Sequence, residues 1–132
     1  MSLRFMLEAV LHASGDLEGI AADIGEWIGE ANETILVKGV PRAKRDEAAR
    51  ITGWNLQGSA LRLSISSGRR VRAHDGLVRL RNFLASRLGE KHRIGLRALS
   101  VTRYTVEAQS PGVTIEEAQR VIGDLARIRA VE

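Results

Sequence analysis

The sequence predicts an α+β fold, namely a mostly antiparallel mixed sheet of about five to six strands that is capped on one side by helices. Three observations predict it. The chain opens with apolar–polar alternation, two later stretches repeat apolar residues every three or four positions, and the middle carries short apolar runs separated by turn-length gaps. At 132 residues the chain suits one domain with a real hydrophobic core.

The first predicted elements are a strand and a helix. Apolar residues occupy every second position from Leu3 to Leu11, which is typical of a half-buried strand. Ser14 or Asp16 can cap a helix that runs to about Ala31. The apolar face of this helix comprises Leu17, Ile20, Ala21, Ile24, Trp27 and Ile28.

The middle of the chain is predicted to add strands. The segment ETILVKGVP favours a short strand that ends at Pro41, and the charged stretch PRAKRDEAAR favours a connector. A hairpin follows, because apolar runs at 51–56 and 61–65 flank the turn sequence QGS. A second turn, SG, precedes an extended segment at 69–72.

A second helix is predicted from about Asp75 to Leu88, with Gly89 in the position that commonly ends a helix. Its buried stripe comprises Leu77, Leu80, Leu84 and Leu88. Arg79, Asn82 and Ser86 lie opposite this stripe, at a spacing that places three polar side chains on one exposed face. We therefore expect a polar helix face that the core does not use.

The last predicted elements are a long strand from about Arg93 to Glu107 and a final helix. Thr114 and Glu117 form a capping box at the start of that helix, whose apolar positions continue to Ile128. The candidate core residues of the strand are Leu96, Val101, Tyr104 and Val106.

Charge is unevenly distributed along the chain, although the formal net charge is only +4. Residues 1–37 carry a net charge of −6, residues 38–103 carry +12, and residues 104–132 carry −2. A field of one sign concentrated in half of a small domain favours a polyanionic partner. Nucleic acid is the partner class that this pattern indicates.

Several function classes are excluded or disfavoured by composition. The chain has no cysteine, so it has neither disulfides nor thiolate metal sites, and its three histidines lack metal-ligand spacing. We expect no metal and no cofactor. The opening MSLRFMLEAVLHAS is interrupted by Glu8 and does not suit a signal peptide, and the longest apolar run is far below the roughly 20 residues of a membrane span. We expect a cytoplasmic protein with no membrane contact.

The chain offers little that suggests catalysis. His74 and Asp75 are adjacent, and adjacent helical residues do not face each other. Asp75 is better explained as a helix N-cap and His74 as a residue buried beside it. The two glycine-rich motifs that bind phosphates, G-x-x-x-x-G-K-[ST] and a G-x-G-x-x-G that opens a helix, are both absent from the sequence. The prediction is therefore that this chain alone is not an enzyme.

The aromatic residues narrow the kind of nucleic acid. Single strands are usually held by stacking on exposed aromatics, and most of the few aromatics here fall on predicted core faces. Phe83 is the one near the arginine-bearing helix face, and a place at the edge of the core suits it better than a stacking role. The pattern favours a structured, A-form RNA contacted through phosphates and 2′-hydroxyls.

The stretch WNLQGSALRLSISSGRRVRAHDGLVRLRNFLASRLGEKHRIGLRAL resembles the N-terminal domain of the atypical, methanogen-type (archaeal) seryl-tRNA synthetase. The shared features are a tryptophan-bearing strand, a strand that ends S-G-R-x-V-R, then H-D, a helix with R-L-R, a basic K-H-R and the strand I-G-L-R. The segment ANETILVKGVP is similar too, so the resemblance covers about residues 3 to 107. It implies a mixed sheet capped by helices that binds the long variable arm of serine tRNA for a class II catalytic core, in a homodimer.

The resemblance also implies which residues contact the RNA. The arm-binding positions correspond to Arg79, Asn82 and Arg97, and Asn82 stands where the family pattern leads us to expect a lysine. From the residues alone, and not from the resemblance, we expect Arg69, Arg70 and Arg72 to line the approach and add general attraction, and Ser86 to belong to the exposed helix face.

The sequence is thus interpreted as a tRNA-binding N-terminal domain over residues 1–110, while residues 111–132 form a helix that packs on the domain or leads to an absent catalytic core. Three alternatives remain open at this stage. The first is a free-standing basic RNA-binding domain, the second is a protein-interaction domain that docks an acidic partner, and the third is a small enzyme that uses His74 and Asp75.

Overall fold

The computed structural model describes residues 3–108, apart from the side chains of Arg70 and Ala108. Within this range four strands form one sheet: β1 is Leu3–Ala13, β2 is Arg50–Gln57, β3 is Ala60–Ser67 and β4 is Leu96–Ala108. Helix α1 is Ala21–Glu30, and helix α2 is Arg70–His92. Shorter helical segments are the 3₁₀ turns Glu18–Ile20 and Arg42–Glu47 and the π-helical turn Ala31–Ile35.

The strand order is β2-β3-β1-β4, and each neighbouring pair is antiparallel. Both helices cross between strands that are separated in the sheet by a third strand, because α1 leads from β1 to β2 and α2 leads from β3 to β4. This is the split β-α-β arrangement of the ferredoxin-like motif. The predicted α+β class and the antiparallel sheet are confirmed.

The helices pack on one face of the sheet, and alternation along the strands supplies that face. Leu7 pairs with Ile65 on one side and with Tyr104 on the other, and all three side chains are buried. The predicted leucine stripe of α2 is buried as expected. Ile24, Trp27 and Ile28 of α1 complete the same core, whereas Ala21, expected on the apolar face, is exposed. No helix among residues 3–108 is long and apolar enough to cross a membrane.

The expected five to six strands are reduced to four in the described chain, because two segments predicted to be extended are helical. One is ETILVKGVP, which forms the π-helical turn Ala31–Ile35 and the turns that follow. The side chain of Asn32 explains part of the difference. Its Nδ2 donates a hydrogen bond of 3.1 Å to the backbone carbonyl of Ile51, and its Oδ1 accepts one of 2.8 Å from the backbone N–H of Ile51. The Asn32 side chain therefore satisfies backbone groups of edge strand β2 that another strand would otherwise pair.

The second segment is 69–72, of which only Arg69 is extended. Helix α2 begins at Arg70, five residues earlier than predicted, so Asp75 lies inside the helix and is not its N-cap. Arginine is a good helix former, and burial of Ala73 against the sheet gives this added turn a tertiary contact.

The C-terminal end of α2 also lies beyond its predicted position. The helix continues through Gly89 to His92, and Arg93 takes the left-handed conformation that was expected of Gly89, with φ of 55°. The backbone amide of Ile94 then bonds to the carbonyl of Leu88 at 3.2 Å. The predicted final helix from Thr114 and the domain boundary at residue 110 lie outside the described residues.

Helix α2 packs tightly against its neighbours at Gly76. A Cβ atom placed on Gly76 would lie 2.7 Å from the Cβ of Ala49 and 3.1 Å from Cδ1 of Ile65. These distances are too short for a normal side chain. Gly76 therefore sets the distance between α2 and the β2–β3 hairpin, and with it the position of every residue on the outer face of α2.

We expect Leu80→Ala or Leu84→Ala to lower the free energy of unfolding by about 2 to 5 kcal/mol, because each removes a fully buried side chain and leaves a cavity. Urea unfolding of each variant measures the loss. A loss well below about 1 kcal/mol at both positions would contradict the phase assigned to α2.

Two glycines of α2 should respond to alanine in opposite directions. Gly76→Ala should destabilise the domain by about 1 to 3 kcal/mol through overpacking against Ala49. Gly89→Ala, where a Cβ meets nothing within 4 Å, should stabilise it by about 0.5 to 1 kcal/mol through helix propensity. The melting temperature of Gly76→Ala should be lower than that of the parent, and the melting temperature of Gly89→Ala should be higher.

Candidate nucleic-acid interface

Helix α2 carries most of the candidate residues, and its two halves differ in how their charges are neutralised. In the C-terminal half, Arg87 Nη2 lies 3.0 Å from Glu30 Oε1, and Lys91 Nζ lies 3.0 Å from Asp23 Oδ1. His92 Nε2 lies 2.7 Å from Asp23 Oδ2. The acidic residues that the sequence concentrates before position 38 therefore supply α1 with carboxylates that pair with the C-terminal half of α2.

The charge of Asp23 responds to these contacts. The hydrogen bond from His92, followed by that from Lys91, lowers the pKa of the Asp23 carboxyl from its ordinary value of 3.8. The carboxylate is thus held in its charged form, which matches its position between two basic side chains of α2.

The N-terminal half of α2 has fewer ion pairs, although the exposed carboxylate of Asp75 lies one turn before Arg79 on the same side of the helix. Arg79, Arg81 and the neighbouring Lys38 have no carboxylate within ion-pair distance among residues 3–108. Arg79 is exposed, and its Nη1 donates a hydrogen bond of 2.8 Å to the backbone carbonyl of Lys38. This bond fixes Arg79 against the turn that follows α1 and places Lys38 on the same surface.

The other two residues of the predicted polar face are also exposed. Asn82 Oδ1 accepts hydrogen bonds from Nε and Nη2 of Arg81, both at 3.3 Å. The hydroxyl of Ser86 donates to Glu90 Oε1 at 3.4 Å. The predicted face of Arg79, Asn82 and Ser86 is therefore present on α2, and an acidic residue, Glu90, adjoins its far end.

The arginines at the start of α2 have different environments. Arg69 Nε lies 3.3 Å from Glu47 Oε2, so its charge is partly compensated. Arg72 is partly buried, and its Nε has no hydrogen-bond partner among the described residues. The first turn of α2 contains no acidic residue, so the positive end of the helix dipole adds to the local field. The side chain of Arg70 lies outside the described part of the structure.

Arg97 is separate from the helix face. It is exposed on β4, where the register shifts between the pairs His12–Ala98 and Ala13–Leu96. Arg79 and the end of α2 at His92 are separated by about 20 Å along the helix axis, at about 1.5 Å per residue, and β4 begins four residues after His92. The structure thus groups Arg79, Asn82 and Ser86, and it places Arg97 at a distance from them.

Two cations beside this face are not predicted from the sequence. Lys38 falls in a segment that is predicted to be a strand, whereas it lies in the turn beside α2. A helical wheel places the Cα of Arg81 away from the face of Arg79 and Asn82. The sequence does hold a weak signal for it, since a long arginine side chain can reach the side chain of its neighbour.

The aromatic side chains are engaged within the protein. The guanidinium of Arg87 lies over the ring of Phe83, 4.8 Å from its centroid, so the preference for a core-edge role over base stacking is supported. The rings of His74 and Tyr104 stack at 5.9 Å, so His74 packs on β4 rather than beside a helix cap. Trp54 is 38% exposed and packs beside Gly25 of α1.

Two further features bear on other kinds of site, namely the placement of possible metal ligands and a cavity on the sheet. Residues 3–108 contain no group of three or more His, Asp or Glu side chains placed to hold a metal ion. A cavity of about 330 Å³ lies on the sheet face that the described helices leave uncovered, lined in part by Glu8, Asn55, Arg62 and Thr102. It combines polar groups of both charges and lies across the sheet from the exposed surface of Arg79, Lys38 and Asn82, called here the Arg79 surface.

Comparison with known proteins finds relatives over most of the chain. The family model of a tRNA-binding domain matches residues 3–132. The type-2 serine–tRNA ligase of Methanothermobacter thermautotrophicus is 45% identical over 112 residues, which is 85% of this chain and 22% of that protein. The type-2 serine–tRNA ligase of Methanococcoides burtonii is 39% identical over 112 residues, which is again 85% of this chain and 22% of that protein.

A solved structure is similar as well. The chain superimposes on M. kandleri SerRS in complex with A. aeolicus tRNASec with a TM-score of 0.76 and 35% identity, covering 88% of this chain and 22% of that one. The chain therefore spans about a fifth of the length of the relatives that it matches.

The contacts of Asp23 with Lys91 and His92 should make the domain less stable at acid pH. Because folding lowers the pKa of Asp23, the contribution of Asp23 to stability is present above its ordinary pKa of 3.8 and is lost as pH falls through the folded value. Asp23→Asn should lower the melting temperature at neutral pH, and the difference from the parent should vanish in strong acid.

Glu26→Gln is the matched control, since Glu26 is an exposed carboxylate of α1 without an ion pair in the described structure. It should change the melting temperature little at any pH. A parent–Asp23→Asn difference that stays constant from neutral pH to strong acid would contradict the assignment.

Proposed function

Since the chain belongs to the tRNA-binding domain family, we propose that it binds the long variable arm of serine tRNA on behalf of a class II seryl-tRNA synthetase. The observation that carries this proposal is the exposed basic surface of Arg79 and Lys38, which make no ion pair within residues 3–108, with the exposed Asn82 on the same helix face. Its neighbours on the C-terminal half of α2 are paired with carboxylates, so the positive field is localised.

The chemistry of this surface suits a duplex RNA arm. An A-form stem hides its base edges in a deep, narrow groove and presents phosphates and 2′-hydroxyls instead. Guanidinium groups bind phosphate oxygens with several N–H donors, and neither base edges nor stacking are then needed. Arg97, which lies near the start of β4 beyond the C-terminal end of α2, would contact a different phosphate of the arm.

The catalytic step is assigned to the part of the ligase that this chain does not include. The relatives are serine–tRNA ligases, and the matched segment is their tRNA-binding part, about a fifth of their length. In this proposal the chain supplies RNA contact and discrimination, it acts within a homodimer in the cytoplasm, and it needs no metal or cofactor of its own.

Binding of a tRNA with a long variable arm should depend on Arg79 and Arg97. We expect Arg79→Ala combined with Arg97→Ala to lower affinity, and to reduce the slope of log affinity against log salt by up to about 0.9, the duplex-DNA value, for each phosphate that the variant no longer neutralises. Filter binding or fluorescence anisotropy over a salt series measures both quantities.

The matched control is Arg50→Ala combined with Arg62→Ala, which removes the same charge from exposed positions of β2 and β3. It should change the salt slope much less. The same tRNA with a shortened arm should bind the parent more weakly. Equal binding of both RNAs, or an unchanged slope in the Arg79 and Arg97 double variant, would contradict variable-arm recognition. Binding that a tRNA competitor does not displace would favour a protein-interaction domain instead.

A further inference from the structure

We infer that Arg81, held in place by Asn82, is an RNA-backbone contact of the Arg79 surface; the inference rests on the proposed function. Asn82 carries no charge, yet it stands on the exposed face of α2 that also presents Arg79. Its Oδ1 accepts hydrogen bonds from both Nε and Nη2 of Arg81 at 3.3 Å. The neutral side chain of Asn82 thereby holds the positive charge of Arg81 close to position 82.

Helix geometry shows why Asn82 is needed. Successive residues of an α-helix are separated by about 100° around the axis, so the Cα of Arg81 is about 200° from that of Arg79, whereas the Cα of Asn82 is about 60° from it. Arg81 therefore starts from outside the face of Arg79. The two hydrogen bonds turn its guanidinium toward Asn82 and away from the direction in which its Cβ points.

The bonded guanidinium keeps both its charge and its capacity to bind phosphate. A guanidinium has five N–H donors, and bonds from Nε and Nη2 to one oxygen use two of them. The remaining donors, mainly on Nη1, stay available for a phosphate. Holding by a neutral amide also restricts the rotamers of Arg81, so less side-chain entropy is lost when RNA binds.

Arg87 on the same helix provides the contrast. Its guanidinium is bonded to the carboxylate of Glu30 and lies over the ring of Phe83, so its charge is neutralised within the protein. Arg81 is only partly exposed, but within residues 3–108 its hydrogen-bond partner is an amide and no carboxylate lies within ion-pair distance. Of these two arginines of α2, only Arg81 keeps a full charge for an external anion.

The test compares four variants of the chain with the parent, using serine tRNA with its long arm over a salt series. Arg81→Ala should weaken binding about tenfold, the effect of losing a hydrogen bond to a charged group, and should reduce the salt slope by up to about 0.9. Asn82→Ala retains the charge but releases the guanidinium, so it should weaken binding less and leave the slope nearly unchanged. Arg62→Ala, on the opposite side of the sheet, controls for net charge.

The fourth variant moves the cation by one residue. Arg81→Ala combined with Asn82→Lys places a charge directly on the helix face, and it should restore the salt slope that Arg81→Ala loses. Melting temperatures of all four variants should stay near that of the parent, because neither Arg81 nor Asn82 is a core residue.

The outcomes separate this inference from the proposed function. If Arg81→Ala binds with the affinity and slope of the parent, or loses no more than Arg62→Ala, the inference is wrong, while a loss in the Arg79 and Arg97 double variant would still support variable-arm binding. If that double variant also binds like the parent, the proposed function itself fails. Restoration of the slope in the Asn82→Lys variant supports a direct backbone contact.

Discussion

The packing of α2 against the sheet is the constraint on which the rest of the structure depends. Four leucines of the helix are buried, and at Gly76 the helix backbone approaches Ala49 so closely that no side chain fits. Once this contact is made, the rotation of α2 about its axis is fixed. The exposed residues of α2, Arg79 among them, face outward as a geometric consequence of what the leucines bury.

The second level of organisation is electrostatic. Helix α1 offers Asp23 and Glu30 to the C-terminal half of α2, and this pairing joins the two helices while it removes positive charge from their shared region. The helical face is therefore basic mainly at its N-terminal half. The uneven distribution of charge along the sequence thus becomes an uneven distribution across one surface, which a net charge of +4 does not reveal.

The sequence predicts the core better than the strand count or the full site, and the reasons are physical. Apolar periodicity identifies the leucine stripe of α2 and the inward residues of β1, because the residues that a helix or a strand buries recur with the period of that element. It fails at ETILVKGVP, where β-branched residues favour a strand but the Asn32 side chain occupies the edge of β2. The glycine signal for the end of a helix is wrong at Gly89, because α2 continues to His92 and Arg93 takes the left-handed conformation instead. Lys38 and Arg81 join the surface through hydrogen bonds to Arg79 and Asn82, and no helical wheel contains that information.

The way in which the surface holds its cations bears on how it could recognise RNA. Arg79 bonds to a backbone carbonyl and Arg81 to a side-chain amide, so both are oriented by neutral acceptors that leave their charge intact. Phe83, the aromatic residue nearest to them on α2, is covered by Arg87. A surface with oriented cations and no free ring beside them can follow a phosphate backbone but offers little to an unstacked base. Discrimination between RNAs would then depend on where a duplex arm places its phosphates, which is a property of its length and shape.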